Sequence, residues 1–284
     1  MKISLKHFFN FGFIFEVIVF TFAMLLSIGI ALRLLAKTVI VHPEVQIVSS
    51  KGYQAWEFIL LFAVATVILL LILKYFKKAW LIQLIFYIAI LEGLWLFGQA
   101  YFSWPYDLAF MLIIVFFWLI YKNVLIHDLV IVLAISAIAV VFGLNLYPST
   151  AIIILLFLAV YDFWAVYKTK HMIRMFRSLA KSKVHFSLII PQFFSGLLKK
   201  LETVKPQTEF MFLGTGDLAI PAIFVVSTMK ISVLTSVITA LGAVLGLVLL
   251  YIIFITQTKK QPMPGLPPIV LGCLLGFLVS FIFI

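Results

Sequence analysis

Long apolar runs alternate with short polar or charged connections along the whole chain. The runs cover residues 11–36, 56–76, 79–98, 104–121, 125–143, 149–168, 210–229, 231–256 and 264–284. Each approaches or exceeds the ~20 residues that a helix needs to cross a bilayer. They are continuous rather than alternating, which argues against a transmembrane β-barrel. The pattern predicts an all-α polytopic membrane protein with nine transmembrane helices. The junction between the fourth and fifth spans is crowded by Lys122, Asn123 and Asp128. Lys2 and Lys6 before an apolar run resemble a signal peptide, but the run to Ala36 exceeds a usual signal core and reads as the first span. No internal repeat is evident, so an inverted-repeat transporter gains no support.

Composition agrees with the pattern. Of 284 residues, 65% are hydrophobic and only 11% charged, where a soluble domain carries about 25% charge. The net charge of +11 does not indicate nucleic acid, because the cations sit in connections beside the spans. Counted over alternate connections, 17 of the 21 Lys and Arg fall on the side of the N-terminus. This imbalance predicts a cytoplasmic N-terminus and an external C-terminus in the cell membrane. The organisation expected is an N-terminal six-helix part (1–168), a basic cytoplasmic loop (169–209) and a C-terminal three-helix part (210–284). Cys273 lies in a span, and the histidines show no metal-ligand spacing. No metal or cofactor is expected.

The loop between the sixth and seventh spans carries Lys170, Arg174, Arg177, Lys181, Lys183, Lys199, Lys200 and Lys205, interrupted by the apolar insert Val184–Phe194. The insert reads first as an interfacial segment on an anionic leaflet. The alternative is a strand or plug near a site.

Carboxylates in hydrocarbon are costly and ask for a reason. Glu44, Glu57, Glu202, Glu209, Asp107 and Asp128 fall in loops or at span ends, where solvent or headgroups serve them. Glu16, Glu92, Asp162 and Asp217 lie within spans. Glu16 and Glu92 read as structural. Asp162 precedes Lys168 by six residues, and Asp217 follows Phe210 by seven. At a rise of 1.5 Å per residue these are depths of roughly 9 and 10 Å from one face. Consecutive helices are often neighbours, so the two carboxylates are expected to face each other.

The surroundings of Asp217 fit a working site. Gly214 and Gly216 allow close approach. Pro221 removes the N–H that would bind the carbonyl of Asp217 and loosens the helix there. Pro262-Met263-Pro264-Gly265-Leu266-Pro267-Pro268 opens the ninth span, and its proline density argues against a plain connection. Gly242/Gly246 and Gly272/Gly276 read as helix-packing faces.

Tyr161-Asp162, then Gly214-Thr215-Gly216-Asp217, then Pro264-Gly265-Leu266 resemble the motifs of the presenilin and signal peptide peptidase family of intramembrane aspartyl proteases. The family pattern is Tyr-Asp, Gly-x-Gly-Asp and Pro-Ala-Leu, with Gly265 here in place of the usual alanine. The resemblance implies nine spans and a catalytic pair, Asp162 and Asp217. It also implies active-site or substrate support from Tyr161, Gly214, Thr215, Gly216, Pro264, Gly265 and Leu266. The predicted orientation is presenilin-like rather than signal-peptide-peptidase-like. The short chain resembles a microbial, archaeal presenilin homologue that works on transmembrane substrates in the bilayer without accessory subunits. Self-cleavage in the loop between spans six and seven is a further implication.

Two close carboxylates cannot both ionise easily, so they share a proton. One activates water while the other polarises the scissile carbonyl and protonates the leaving nitrogen. The competing readings are a prepilin-peptidase-type protease, and a proton-coupled transporter or channel with the aspartates as a relay.

Overall fold

A computed structural model describes residues 10–41, 60, 64, 79–169, 187–204, 209–257 and 263–284. The second predicted span (56–76), apart from Leu60 and Val64, and the basic stretch from Lys170 to Lys183 lie outside the described residues. The helices are α1 (Phe11–Val41), α2 (Ala79–Tyr101), α3 (Tyr106–Ile120), α4 (Val124–Asn145), α5 (Pro148–Trp164), α6 (Thr215–Ser227), α7 (Val233–Thr256) and α8 (Leu266–Ser280). Two short strands, β1 (Ser187–Pro191) and β2 (Phe210–Gly214), lie between α5 and α6.

Five of the described helical segments are long and apolar enough to cross a membrane: Phe11–Lys37, Gln83–Tyr101, Val124–Asn145, Pro148–Tyr167 and Val233–Thr256. The helices Tyr106–Ile120 and Leu266–Ser280 are apolar but shorter. Helix starts follow local chemistry. Asn123 caps α4 through the Ile126 N–H at 3.0 Å, and Ser232 caps α7 through the Leu234 N–H at 3.1 Å. Pro267 and Pro268 fall in the first turn of α8, where a missing N–H does no harm.

The central helix is α4. It is apolar on every side and buried over most of its length, packed by α1, α2 and α6. Opposite it, α7 and α8 cross very closely, as the glycine pairs led us to expect. The Gly272 carbonyl stands directly against Gly242, and a Cβ on Gly272 would lie 2.7 Å from the Cα of Gly246. This crossing fixes the N-terminal end of α8 beside α5 and α6.

The seventh apolar run does not form one helix over 210–229. Phe210–Gly214 is a strand, and α6 spans only 13 residues. The strand pairs antiparallel with β1, from Ser187 opposite Gly214 to Pro191 opposite Phe210. Much of the apolar insert is thus a strand joined to the segment before Asp217, the alternative to the interfacial reading. The hairpin rests on the start of α4. Val124, Ile189, Val204 and Phe210 share a small core, the Val124 N–H donates to the Lys199 carbonyl, and the Leu201 N–H donates to that of Lys122.

Two acids expected near solvent are buried. Asp128 is 3% exposed, and its Oδ1 accepts the Ile189 N–H at 2.9 Å. The loop folding back on α4 covers it. Asp107, at the start of α3, is 5% exposed and accepts the Leu108 N–H.

Candidate active site

Asp217 does not lie two turns inside a helix, as expected, but in the first turn of α6, where β2 becomes helix. Gly214 is the N-cap residue, and its N–H donates to the Asp217 carboxylate. The strand register explains this direction. Ile189 sends its N–H to Asp128, away from β2, so the pair Ile189/Phe212 is not hydrogen-bonded across the ladder. Gly214, two residues beyond Phe212, has the same parity and points its N–H away from β1. Asp128 and Asp217 therefore flank the hairpin on opposite edges.

Asp162 comes from the last turn of α5, just before the backbone widens into a π-turn at Ala165–Thr169. Its carboxylate caps a different helix. Oδ2 accepts the Leu266 N–H at 3.2 Å, and the Gly265 N–H also donates to this carboxylate. These are the orphan donors at the start of α8, whose N-terminus favours a negative group. The proline-rich opening of the last span thus presents backbone N–H groups to one aspartate.

Gly265 brings the two acids together. A Cβ there would lie 2.8 Å from Asp217 Oδ2 and 3.0 Å from its Cγ. The Asp217 carboxylate therefore rests on the bare Cα face of Gly265 while the N–H of the same residue serves Asp162. The two carboxylates interact electrostatically. Both are partly exposed rather than sealed.

The other predicted residues divide. Pro264 and Leu266 are buried at the site, and Thr215 is the first residue of α6. Gly216 faces open space: a Cβ would meet only Ile220 Cδ1, at 3.9 Å. Tyr161 is 63% exposed and shows no polar contact with the aspartates. Reading the sequence missed Glu16, which is buried on α1 and interacts electrostatically with Asp217. Its position within an apolar run was the available signal. Among the described residues there is no cluster of His, Cys, Asp or Glu able to hold a metal.

A polytopic helical bundle with paired acids at strand-to-helix and helix-to-turn junctions defines a membrane-embedded acid site. The model of the family "Signal-peptide peptidase, presenilin aspartyl protease" matches residues 17–284, and the chain belongs to that family. It is an intramembrane aspartic endopeptidase. The fold is similar to that of a presenilin family intramembrane aspartate protease solved in two crystal forms. The C222 form has a TM-score of 0.64 at 23% identity and covers 96% of this chain and 99% of the other. The P2 form has a TM-score of 0.60 at 24% identity, covering 93% and 97%. No curated protein sequence matches the chain.

Proposed function

We propose that Asp162 and Asp217 are the catalytic pair and hydrolyse a peptide bond within a single-span membrane substrate. The observation that supports this is their convergence on Gly265, one through its N–H and the other against its Cα. Asp162, with two N–H donors at a helix N-terminus, carries the negative charge and acts as general base. Asp217 holds the shared proton and directs it at the scissile carbonyl. Water adds to the carbonyl carbon and loses a proton to Asp162. The C–N bond of the resulting gem-diol then breaks, the nitrogen takes a proton, and a carboxyl and an amine are left.

A helical amide is internally bonded and sterically shielded, so the substrate must unwind first. The edge of β2 that faces Asp217 is where an extended segment adds, satisfying its backbone by strand pairing. The nine apolar runs support nine spans in the cell membrane, and the positive-inside count supports a cytoplasmic site and N-terminus with an external C-terminus. Transmembrane protein substrates are the partners, and no accessory subunit is required.

Purified protein in liposomes made with H2¹⁸O tests this. One ¹⁸O is expected in the new carboxyl of the N-terminal fragment of a single-span peptide. Glycines placed around the scissile bond should speed cleavage, and an unchanged rate contradicts the unwinding step. Proton flux without cleavage favours the transporter reading.

A further inference from the structure

The connection between β1 and β2 takes no part in the site described so far. It leaves β1 at Pro191 and passes through a 3-10 turn over Phe194–Leu198. The inner side of this turn is tightly packed. Gly196 and Leu197 are buried, and a Cβ on Gly196 would lie 2.6 Å from Pro191 Cβ. The outer side is bare: Phe193, Phe194 and Leu198 are 61%, 70% and 67% exposed. Two contacts fix its height along the bundle. Phe194 meets Phe11, the first residue of α1, edge-on with ring centroids 5.9 Å apart. Lys200 pairs with Asn123, the N-cap residue of α4, in an isolated antiparallel bridge. Both α1 and α4 are apolar enough and long enough to cross a membrane. The turn therefore lies where two spans begin, at the level of the headgroups.

Charge accompanies these apolar side chains. Lys199 is paired with Glu209. Lys122 and Lys200 are exposed, and neither has an ion pair among the described residues. Their backbones lie side by side through the bridge and through the Leu201 N–H, which donates to the Lys122 carbonyl at 2.8 Å. Glu202 is exposed in the next turn. From Lys168 to Glu209 the chain has nine Lys and Arg against these two glutamates. A patch of exposed large apolar groups marks a protein or a membrane contact. The level of the turn at the span starts and the unpaired lysines select the membrane, because apolar bodies flanked by cations suit an anionic leaflet.

We propose that the Phe193–Lys200 turn is an interfacial anchor: Phe193, Phe194 and Leu198 enter the upper acyl region, and Lys122 and Lys200 take the phosphates of anionic phospholipids. The apolar insert is thereby divided. Its strand, Ser187–Pro191, stays on the protein, and the segment after it goes to the lipid. The anchor ties the β1–β2 connection to the leaflet in which α1 and α4 begin. It stands independently of the assignment of Asp162 and Asp217 as catalytic.

The test places an environment-sensitive fluorophore on Phe194→Cys, Leu198→Cys and Glu202→Cys in the full chain. Cys273 is 0% exposed, so wild type carried through the same labelling sets the background. The proteins are studied in phosphatidylcholine vesicles with increasing phosphatidylglycerol. Labels at positions 194 and 198 should emit to the blue and be quenched by lipids brominated near the top of the acyl chains. The label at position 202 should stay in water. The blue shift should grow with the phosphatidylglycerol fraction. A lysine near an anionic surface is worth roughly fivefold in affinity, so adding Lys200→Gln should weaken the response to phosphatidylglycerol by about that factor. Quenching at 194 and 198 no greater than at 202 overturns the proposal. A blue shift that follows the protein-to-lipid ratio without quenching by lipid also overturns it, in favour of a second copy of the chain. Quenching indifferent to both phosphatidylglycerol and Lys200→Gln overturns the anionic-lipid site. Should one of the labelled variants at 194 and 198 fail to fold, the other decides.

Discussion

Gly265→Ala restores the alanine of the family pattern and places a methyl where the Asp217 carboxylate now rests. In this chain the added Cβ would lie 2.8 Å from Oδ2, 3.0 Å from Cγ and 3.2 Å from Oδ1, where ordinary contact begins near 3.4 Å. The carboxylate must retreat by about half an ångström. A misplacement of ~1 Å at a catalytic group costs about a hundredfold in rate, so about tenfold is expected here. The backbone does not resist the change. Gly265 has φ −81° and ψ −36°, a helical conformation open to alanine. Fewer unfolded conformations should add ~0.4–1 kcal/mol of stability. The variant should therefore melt at or above the wild-type temperature in detergent while kcat on a single-span peptide falls about tenfold. Wild-type kcat in Gly265→Ala would refute the placement of Asp217 against this glycine. A fall in kcat that tracks a fall in melting temperature would refute the separation of packing from chemistry.

Two other perturbations follow from the packing. Asp128→Ala strands the buried N–H of Ile189, costing about 1–3 kcal/mol and loosening the hairpin. Limited proteolysis within 187–214 should accelerate and KM should rise, whereas Asp128→Asn, which keeps an acceptor, should stay near wild type. Gly272→Ala sets a methyl 2.7 Å from the Cα and N of Gly246, so α7 and α8 must part. A loss of about 1–3 kcal/mol is expected from thermal or denaturant unfolding, together with reduced activity through displacement of Leu266.

Much of the helical framework was legible because apolar runs state their own length. Asp162 and Asp217 stood out because a carboxylate in such a run needs a purpose, and the three ordered motifs named the purpose. The hairpin was not legible as a whole. Phe210-Met211-Phe212-Leu213 runs into α6 without a break in hydrophobicity, and a short apolar run does not distinguish strand from helix. The depth of Asp217 was misjudged for the same reason: it belongs to the first turn of a short helix. Asp128 looked solvated at a span end because its burial depends on residues 187–204 folding back over α4. Gly265 looked like a small-for-small change until Asp217 was seen to occupy the space of the missing methyl. Glu16 interacts with Asp217 only through the packing of α1 on α6, which no local pattern encodes.

The most direct measurement is cleavage of a single-span peptide in liposomes by wild type, Asp162→Asn and Asp217→Asn. Asparagine retains an acceptor for the Leu266 and Gly214 N–H groups, so the fold should persist while the acid–base chemistry is removed. Cleavage by wild type and its loss to background in each folded variant is the predicted result. Substantial cleavage by either folded variant would contradict the assignment of that aspartate.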